Sequence, residues 1–286
     1  MRGIAYMSVF AFCMASMITA VRYISQDLHP FEIAFFRAFF GFVFFLPILV
    51  RYGIDPLRTS RLPLHFLRSL FHVTSVLLFF FGVSVTPLAK AMSISFSAPL
   101  FASILAFVFL SERLNIARIA SLLSGLIGML VILRPGLIEV NMGSLAIIVA
   151  AASWGTAMII VKILSTTEST VTTTMYSTIF MMPVTLIIAL GFWTLPSVEH
   201  LAWLALIGAL ASVGHIALAR AMREGDVTVV LPVDFTKIIW ASMFGYIFFA
   251  EIPDWETWVG GAIIFTAVAL IAYQERNDKT RLPLSS

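Results

Sequence analysis

This sequence is poor in cysteine and in charge. Cys13 is the one cysteine among 286 residues, so the chain cannot form an internal disulfide, and no group of Cys and His has the spacing of zinc ligands. Charged residues make up 12% of the chain, about half the share usual in a soluble domain. Hydrophobic residues make up 60%, and the mean hydropathy is +1.00. This composition predicts a chain that folds in a lipid bilayer, with no metal site and no cofactor.

The motifs of ATP-driven pumps and of common enzymes are missing as well. The sequence has no GxxxxGKS/T loop, so this chain cannot itself drive transport with a nucleoside triphosphate. Its five histidines are not grouped with a nucleophile, or with one another, as hydrolases and metalloenzymes require. We therefore do not expect an enzyme.

Apolar windows long enough to span a bilayer follow one another along almost the whole chain. A span needs about 20 mostly apolar residues, because each residue of an α-helix rises about 1.5 Å. Ten such windows lie at approximately 3–24, 31–50, 65–86, 89–110, 115–134, 142–164, 170–192, 201–221, 227–249 and 256–274. The predicted fold is an all-α membrane protein with ten transmembrane helices.

The positive charges predict which face of the membrane each loop occupies. With the N-terminus in the cytoplasm, thirteen of the 18 Lys and Arg residues fall on the cytoplasmic side: Arg2, Arg51, Arg58, Arg61, Arg68, Arg113, Arg118, Lys162, Arg220, Arg223, Arg276, Lys279 and Arg281. Only Arg22, Lys90 and Arg134 fall on the opposite side. This bias predicts that both termini are cytoplasmic. It accounts for the net charge of +3 without a nucleic-acid partner.

The two halves of the chain are similar to each other. The aligned segments are 3–24 with 143–164, which pairs Arg22 with Lys162, and 95–112 with 234–251, which pairs Glu112 with Glu251. The matches predict two five-helix repeats, residues 3–134 and 142–274, followed by a cytoplasmic tail at 275–286. Because five is an odd number, equivalent helices would cross the membrane in opposite directions. Inverted repeats of this kind are typical of secondary transporters.

Ten helices in two halves are combined here with a basic residue at the end of the first helix and an arginine in the second. The chain also contains the run APLFASILAFVFLSERLNIARIASLLSGLIGMLVILRPG (98–136). These features resemble the EamA family of the drug/metabolite transporter superfamily. Within that family, the runs HPFEIAFFRAFF, RTSRLPLHFLRSLF and SISFSAPLFASILAFVFLSE are most similar to bacterial S-adenosylmethionine uptake carriers, followed by riboflavin transporters. The resemblance implies a transporter in which the last helices of the two halves form an interface.

Arg37 lies within a segment that contains eight phenylalanines, FEIAFFRAFFGFVFFLP (31–47). A charge in hydrocarbon costs several kcal/mol, so Arg37 should face a cavity or a partner. Glu32 is five residues away, about 140° around the helix, and so does not share its face. Two interpretations follow. Arg37 binds a carboxylate or phosphate of a substrate, or it has a structural or gating role, which the family resemblance favours.

Asp234 and Lys237 of the ninth helix are expected to form an ion pair, because residues three apart lie about 60° from each other around the axis. Both residues lie well inside the predicted span. The pair can couple transport to protons, hold a cationic substrate, or stabilise one conformation as a structural ion pair.

Histidines mark two further helices. His65, Arg68 and His72 recur at spacings of three and four and form one stripe on the third helix. The first two are expected at the cytoplasmic interface, whereas His72 is expected deeper in the membrane. His72 and His215 of the eighth helix are candidates for substrate binding or proton transfer, and packing within the bundle is the alternative.

Prolines interrupt the fourth and ninth helices. Pro99 and Pro232 each remove a backbone hydrogen bond, to the carbonyls of Ser95 and Thr228 respectively. A carbonyl freed in this way needs a partner in a cavity, in another helix or in water. We therefore expect a binding site near these two breaks, with simple kinks as the alternative.

Aromatic and small residues within the spans carry two more expectations. Trp154, Tyr176 and Trp240 lie away from the interfaces, so they either stack on a flat ring such as adenine or isoalloxazine, or fill the bundle. Small residues of the fifth and tenth helices allow close packing between helices; they are Ser124, Gly125, Gly128, Gly260 and Gly261. A homodimer formed through them is a second interpretation.

Taken together, these patterns predict a secondary carrier, coupled to an ion or to exchange, for a small organic metabolite in a bacterial inner membrane. Uptake of an aromatic-plus-polar molecule such as S-adenosylmethionine or riboflavin is the leading hypothesis. The alternative is an exporter of amino acids or related metabolites. A channel is less consistent with a proline-broken inverted repeat that lacks a ring of charges.

Overall fold

The computed structural model describes residues 2–52, 57–98, 100–102, 104–105, 116–133, 141–164, 167–224, 233–234 and 236–281. These residues form ten α-helices and no β-strand. The helices are α1 (Arg2–Ile24), α2 (Pro30–Tyr52), α3 (Leu62–Val85), α4 (Leu88–Ser95), α5 (Ile116–Leu133), α6 (Met142–Leu164), α7 (Thr170–Ala189), α8 (Val198–Glu224), α9 (Thr236–Phe249) and α10 (Trp255–Arg281). The prediction of an all-α fold is therefore confirmed within the described residues.

Membrane-length helices account for much of the described chain. By length and composition, five segments are apolar enough to cross a bilayer: Arg2–Ile24, Leu62–Val85, Met142–Val161, Thr172–Phe192 and Val198–Leu218. Local chemistry sets several helix ends. The Ser169 hydroxyl accepts a hydrogen bond from the Thr172 amide and caps the start of α7, and α3 ends at Val85, just before Pro87.

The fourth helix is interrupted within its predicted span of 89–110, in which the sequence places Pro99. Its first part, α4, ends at Ser95, and Phe96 and Ser97 form a turn. Helical residues resume after the turn, where the amides of Leu100 and Phe101 both donate to the Ser97 carbonyl. The chain is thus broken at the depth where the sequence places a proline. Pro99 and Pro232 themselves lie outside the described residues.

The helices of the two halves of the chain interleave and do not form separate bundles. The main contacts pair α3 with α6, α1 with α8, α2 with α7 and α8, α3 with α7, α4 with α6 and α9, α1 with α9, and α5 with α10. One hydrophobic core runs through both halves and includes Met7 and Phe80 of the first and Leu204 of the second. This interleaving brings the polar faces of α2, α3, α7 and α8 together.

The small residues of α5 and α10 face each other within one chain. A Cβ atom added at Gly128 would lie 2.8 Å from the carbonyl oxygen of Gly260, and one added at Gly260 would lie 2.5 Å from that of Gly128. Gly125 packs on Leu100 and Gly261 on Ser93. Glycine therefore serves intramolecular helix packing here, and a homodimer stays a prediction.

Replacing Gly260 by Val is expected to destabilise the protein by about 1–3 kcal/mol, because the side chain would force apart backbones that are already in contact. Gly191 is the matched control, since a Cβ there would meet no atom within 4 Å. The measurement is the thermal unfolding midpoint of each purified variant in detergent. Equal midpoints for Gly260→Val and Gly191→Val would contradict the close α5–α10 packing.

Candidate functional site

The stripe on α3 faces α7. Arg68 donates from Nη1 to the Thr173 carbonyl at 2.8 Å, and His72 Nδ1 lies 2.7 Å from the Ser177 hydroxyl. One turn before Arg68, the His65 ring stacks on the Tyr176 ring, with 4.7 Å between their centroids. His65 and Arg68 are only 0% and 8% exposed, so both are buried against neighbouring helices, while their position near the cytoplasmic surface stays a prediction. Helix packing has enclosed the entire stripe.

Arg37 points from α2 towards α7. Its Nη1 lies 3.7 Å from the sulfur of Met181, while its Nε is buried and has no hydrogen-bond partner among the described residues. Glu32 is fully buried elsewhere and accepts from the amide and hydroxyl of Thr194, at 3.2 and 3.0 Å. The prediction that Arg37 does not pair with Glu32 is confirmed.

His215 of α8 completes the group. Its Nδ1 lies 2.6 Å from the Ala211 carbonyl of the preceding turn. Because a carbonyl can only accept, this nitrogen must carry a hydrogen, and Nε2 is left as the nitrogen available to other groups. The sequence predicted His72, His215 and Arg37 as candidates one by one, and the structure places them around a common space.

That space is a cavity of about 60 Å³ between α2, α3, α7 and α8. We call it the polar cavity; its polar lining residues are Arg37, Arg68, His72, Thr174, Ser177, Thr178, Ser212 and His215. Its described lining contains two guanidinium groups, two imidazoles and four hydroxyls, but no carboxylate. Arg68 was missed by sequence reasoning, although its spacing of four from His72 was the available signal.

The predicted aromatic residues do not form one box. Trp154 of α6 packs against His72, with 5.1 Å between the ring centroids, and so lies next to the polar cavity. The Tyr176 hydroxyl donates to the Leu57 carbonyl at 2.5 Å, which turns this ring towards the connection between α2 and α3. Trp240 packs edge-on against Phe12 at 5.1 Å, on another face of the bundle.

Asp234, just before α9, and Lys237, in its first turn, form the ion pair that their spacing predicts. The Asp234 carboxylate and the Lys237 ammonium lie 2.5 Å apart and are mostly buried. Lys237 Nζ also lies 4.2 Å from the centroid of the Phe10 ring and 5.9 Å from that of Phe96. The pair therefore sits between α1, α9 and the turn that interrupts α4. Ser95, at the end of α4, donates its hydroxyl back to the Met92 carbonyl at 2.7 Å.

A second charged network connects three helix ends near the last turn of α1, where Arg22 lies. Arg22 forms an ion pair with Glu251 and donates a hydrogen bond to the Thr86 carbonyl. Glu251 in turn accepts from the Leu88 amide at 2.9 Å, at the start of α4. The Arg22 guanidinium also lies over the Phe249 ring, 5.0 Å from its centroid. One carboxylate thus connects α1, α4 and the end of α9.

Membrane-length helices around a buried polar cavity define a multi-pass membrane protein. The model of the EamA-like transporter family matches this chain twice, over residues 1–134 and 141–273. The chain therefore belongs to the EamA-like transporter family. It is a transporter of a small molecule, not an enzyme, as the sequence predicted.

Known proteins with related sequences support this class. The chain is 34% identical over 260 residues to the S-adenosylmethionine uptake transporter of Rickettsia bellii, covering 91% of this chain and 89% of the relative. It is 30% identical over 275 residues to the riboflavin transporter of Vibrio cholerae, covering 95% and 92%. A solved crystal structure of another protein matches with a TM-score of 0.64 at 15% identity and covers 96% of both chains, which shows the fold.

Replacing Glu251 by Gln is expected to destabilise the protein by about 3 kcal/mol, because Arg22 would keep a mostly buried charge without its partner. Glu199 is exposed in the first turn of α8, and Glu199→Gln is the matched control. Thermal unfolding in detergent measures the difference, and adding Arg22→Gln to Glu251→Gln should restore part of the loss. A double variant whose losses are simply additive would contradict a direct ion pair.

Proposed function

We propose that this protein is a secondary carrier that takes up an aromatic-plus-polar metabolite, of the kind represented by S-adenosylmethionine and riboflavin, across a bacterial inner membrane. The observation that carries the proposal is the polar cavity, in which four cationic or imidazole side chains are enclosed by membrane-length helices. Such groups are costly in hydrocarbon, and within membrane spans they typically mark a substrate or ion pathway. Relatives named as an S-adenosylmethionine uptake transporter and a riboflavin transporter support the substrate class, and the first of these names supports the direction.

Alternating access between two inverted repeats, 3–134 and 142–274, is the proposed mechanism, with the tail at 275–286 and both termini in the cytoplasm. Exchanging the two repeats turns the α3–α6 contact into the α8–α1 contact, and both are among the most extensive in the bundle. The same exchange turns α2–α8 into α7–α3, and both of these occur as well. This correspondence, the double family match and the thirteen-to-three bias of positive charge support the proposal.

The polar cavity is small in the described conformation. A cavity of about 60 Å³ holds a few water molecules, whereas sites for drug-sized ligands measure about 300–1,000 Å³. Transport of a nucleoside-sized molecule therefore requires the helices to separate. The Arg22–Glu251 network closes one end of the bundle, so this is where separation would open a path to the outer face.

The aromatic part of a substrate also has a candidate partner. Trp154 packs against His72 at the edge of the polar cavity, and its side chain is half-buried. An adenine or isoalloxazine ring can stack on such an indole. Trp240 belongs to another face of the bundle, so we assign the stacking role to Trp154 alone.

Counterflow in proteoliposomes tests the proposed function. Liposomes that contain the purified chain and are preloaded with unlabelled S-adenosylmethionine or riboflavin should accumulate the matching labelled compound transiently, because a carrier exchanges one molecule for another. A channel would only equilibrate the label. Accumulation with a panel of amino acids, and with neither of these compounds, would replace the proposal by the exporter alternative.

The Asp234–Lys237 pair is the proposed point of coupling to protons. Asn in place of Asp234 carries no titratable proton, so uptake by Asp234→Asn should fall and lose its dependence on external pH. Asp27→Asn serves as a control, because the Asp27 side chain is 66% exposed. Initial uptake rates measured over a pH series decide the question. An unchanged rate and an unchanged pH profile in Asp234→Asn would remove this residue from coupling.

A further inference from the structure

We propose that the polar cavity binds an anionic group, a carboxylate or a phosphate, on the transported metabolite. This inference rests on the proposed function only in taking the cavity as part of the transport path. It goes further by specifying the charge that the substrate must carry. The groups that would recognise the anion are Arg37 of α2, Arg68 and His72 of α3, and His215 of α8.

Charge balance is the first argument. Two other mostly buried cations of the bundle are neutralised by a carboxylate: Arg22 pairs with Glu251, and Lys237 pairs with Asp234. Among the described residues, neither Arg37 nor Arg68 has a carboxylate partner, and no Asp or Glu lines the polar cavity. Two guanidinium charges without a carboxylate partner in the described part of a membrane bundle are costly. A bound anion would supply the missing charge.

Unused hydrogen-bond donors are the second argument. A guanidinium group carries five N–H donors. Arg37 directs one nitrogen to the Met181 sulfur, a weak acceptor, and its buried Nε has no partner among the described residues. Arg68 uses one nitrogen on the Thr173 carbonyl, and its Nε is also buried without a partner in the described chain. The fork of donors on each side chain matches the oxygens of a carboxylate or phosphate.

A purely structural role explains Arg37 less well. A structural arginine in a membrane bundle usually satisfies carbonyls or a carboxylate, as Arg22 does with Thr86 and Glu251. Contact with the Met181 sulfur does not replace a counter-ion. Arg68 has a carbonyl partner and so combines holding α3 against α7 with facing the cavity. Arg37 is therefore the residue whose replacement best separates the two roles.

The consequence is a choice between chemically related substrates. S-adenosylmethionine carries a carboxylate, so the cavity fits that end of the molecule and not its sulfonium. Riboflavin is uncharged, whereas riboflavin 5′-phosphate carries the anion that the cavity requires. In each of two pairs, the cavity should therefore favour the member that carries a carboxylate or a phosphate. These are S-adenosylmethionine over its decarboxylated form, and riboflavin 5′-phosphate over riboflavin.

The first experiment measures binding of these four compounds to the full purified chain by thermal stabilisation in detergent. In at least one pair, the compound that carries the carboxylate or phosphate should bind at least about tenfold more tightly than the compound that lacks it. The reason is that charge-assisted hydrogen bonds are lost without the anionic group. Phosphate or acetate in place of chloride, at constant ionic strength, should also stabilise the ligand-free protein. Equal binding within both pairs, or no effect of the simple anions, would overturn the inference.

The second experiment compares Arg37→Met with Arg220→Met. Arg220 is exposed near the end of α8 and stands over the Tyr6 ring, so its variant removes the same charge away from the cavity. Arg37→Met should raise the ligand-free unfolding midpoint, since an unbalanced charge is removed, and should abolish stabilisation by phosphate or acetate. Arg220→Met should retain that stabilisation. A lower midpoint in Arg37→Met would identify Arg37 as structural and overturn the inference.

The two proposals fail separately. If neither pair of compounds binds and none is transported, the proposed substrate class fails, while the simple anions and Arg37→Met still decide whether the cavity binds an anion. If S-adenosylmethionine or riboflavin is transported with no preference for the anionic form, the anion site fails and the carrier function stands.

Discussion

A polar group within a lipid bilayer has no water to bind, so it must find its partner inside the protein. This constraint organises the described structure. Arg22 meets Glu251, Lys237 meets Asp234, and Glu32 accepts two hydrogen bonds from Thr194. Each of these contacts joins elements that are distant in sequence or fixes a helix end, and together they hold the interleaved halves in register. Around the polar cavity, the part of the chain that the structure describes provides no carboxylate for Arg37 or Arg68, which is why we propose recognition there.

The same constraint connects recognition with movement. The polar cavity is built from α2 and α3 of one half and from α7 and α8 of the other, so a ligand held there touches both halves at once. An anion bound between Arg37 and Arg68 would offset the charges that otherwise repel each other as the helices close. Binding energy can therefore favour the closed form. In the proposed mechanism, opening at the outer end would separate the Arg22–Glu251 network, so the two charged sites would act on the same equilibrium.

Hydropathy predicted the helices well, because the need for about 20 apolar residues per span leaves little choice of boundaries. Spacing within one helix was equally informative: it predicted the Asp234–Lys237 pair, the single stripe of His65, Arg68 and His72, and the separation of Arg37 from Glu32.

What sequence reasoning could not supply was the rotation of one helix against another. In a chain that is apolar on nearly every face, packing sets this rotation and the hydrophobic pattern does not. For this reason Arg68 was not predicted to line a cavity, and Trp154 and Trp240 were grouped although they lie on different faces. The glycines of α5 and α10 illustrate the same limit, since a pattern of small residues fits a contact within one chain as well as one between two chains.

The contact between α2 and α7 gives a reason for the two halves to differ. In the proposed repeat these helices are equivalents of each other, and they pack directly together. A perfect repeat would therefore place an arginine on α7 near the arginine on α2, and two unbalanced cations would repel each other in a medium that screens charge poorly. The sequence instead gives α7 the hydroxyls of Ser177 and Thr178 and the sulfur of Met181 on this face. In the proposed repeat, the framework can keep its symmetry, but charge near the axis must come from one half only. This asymmetry gives the polar cavity a cationic side and a hydroxyl-rich side, which could orient a substrate as proposed.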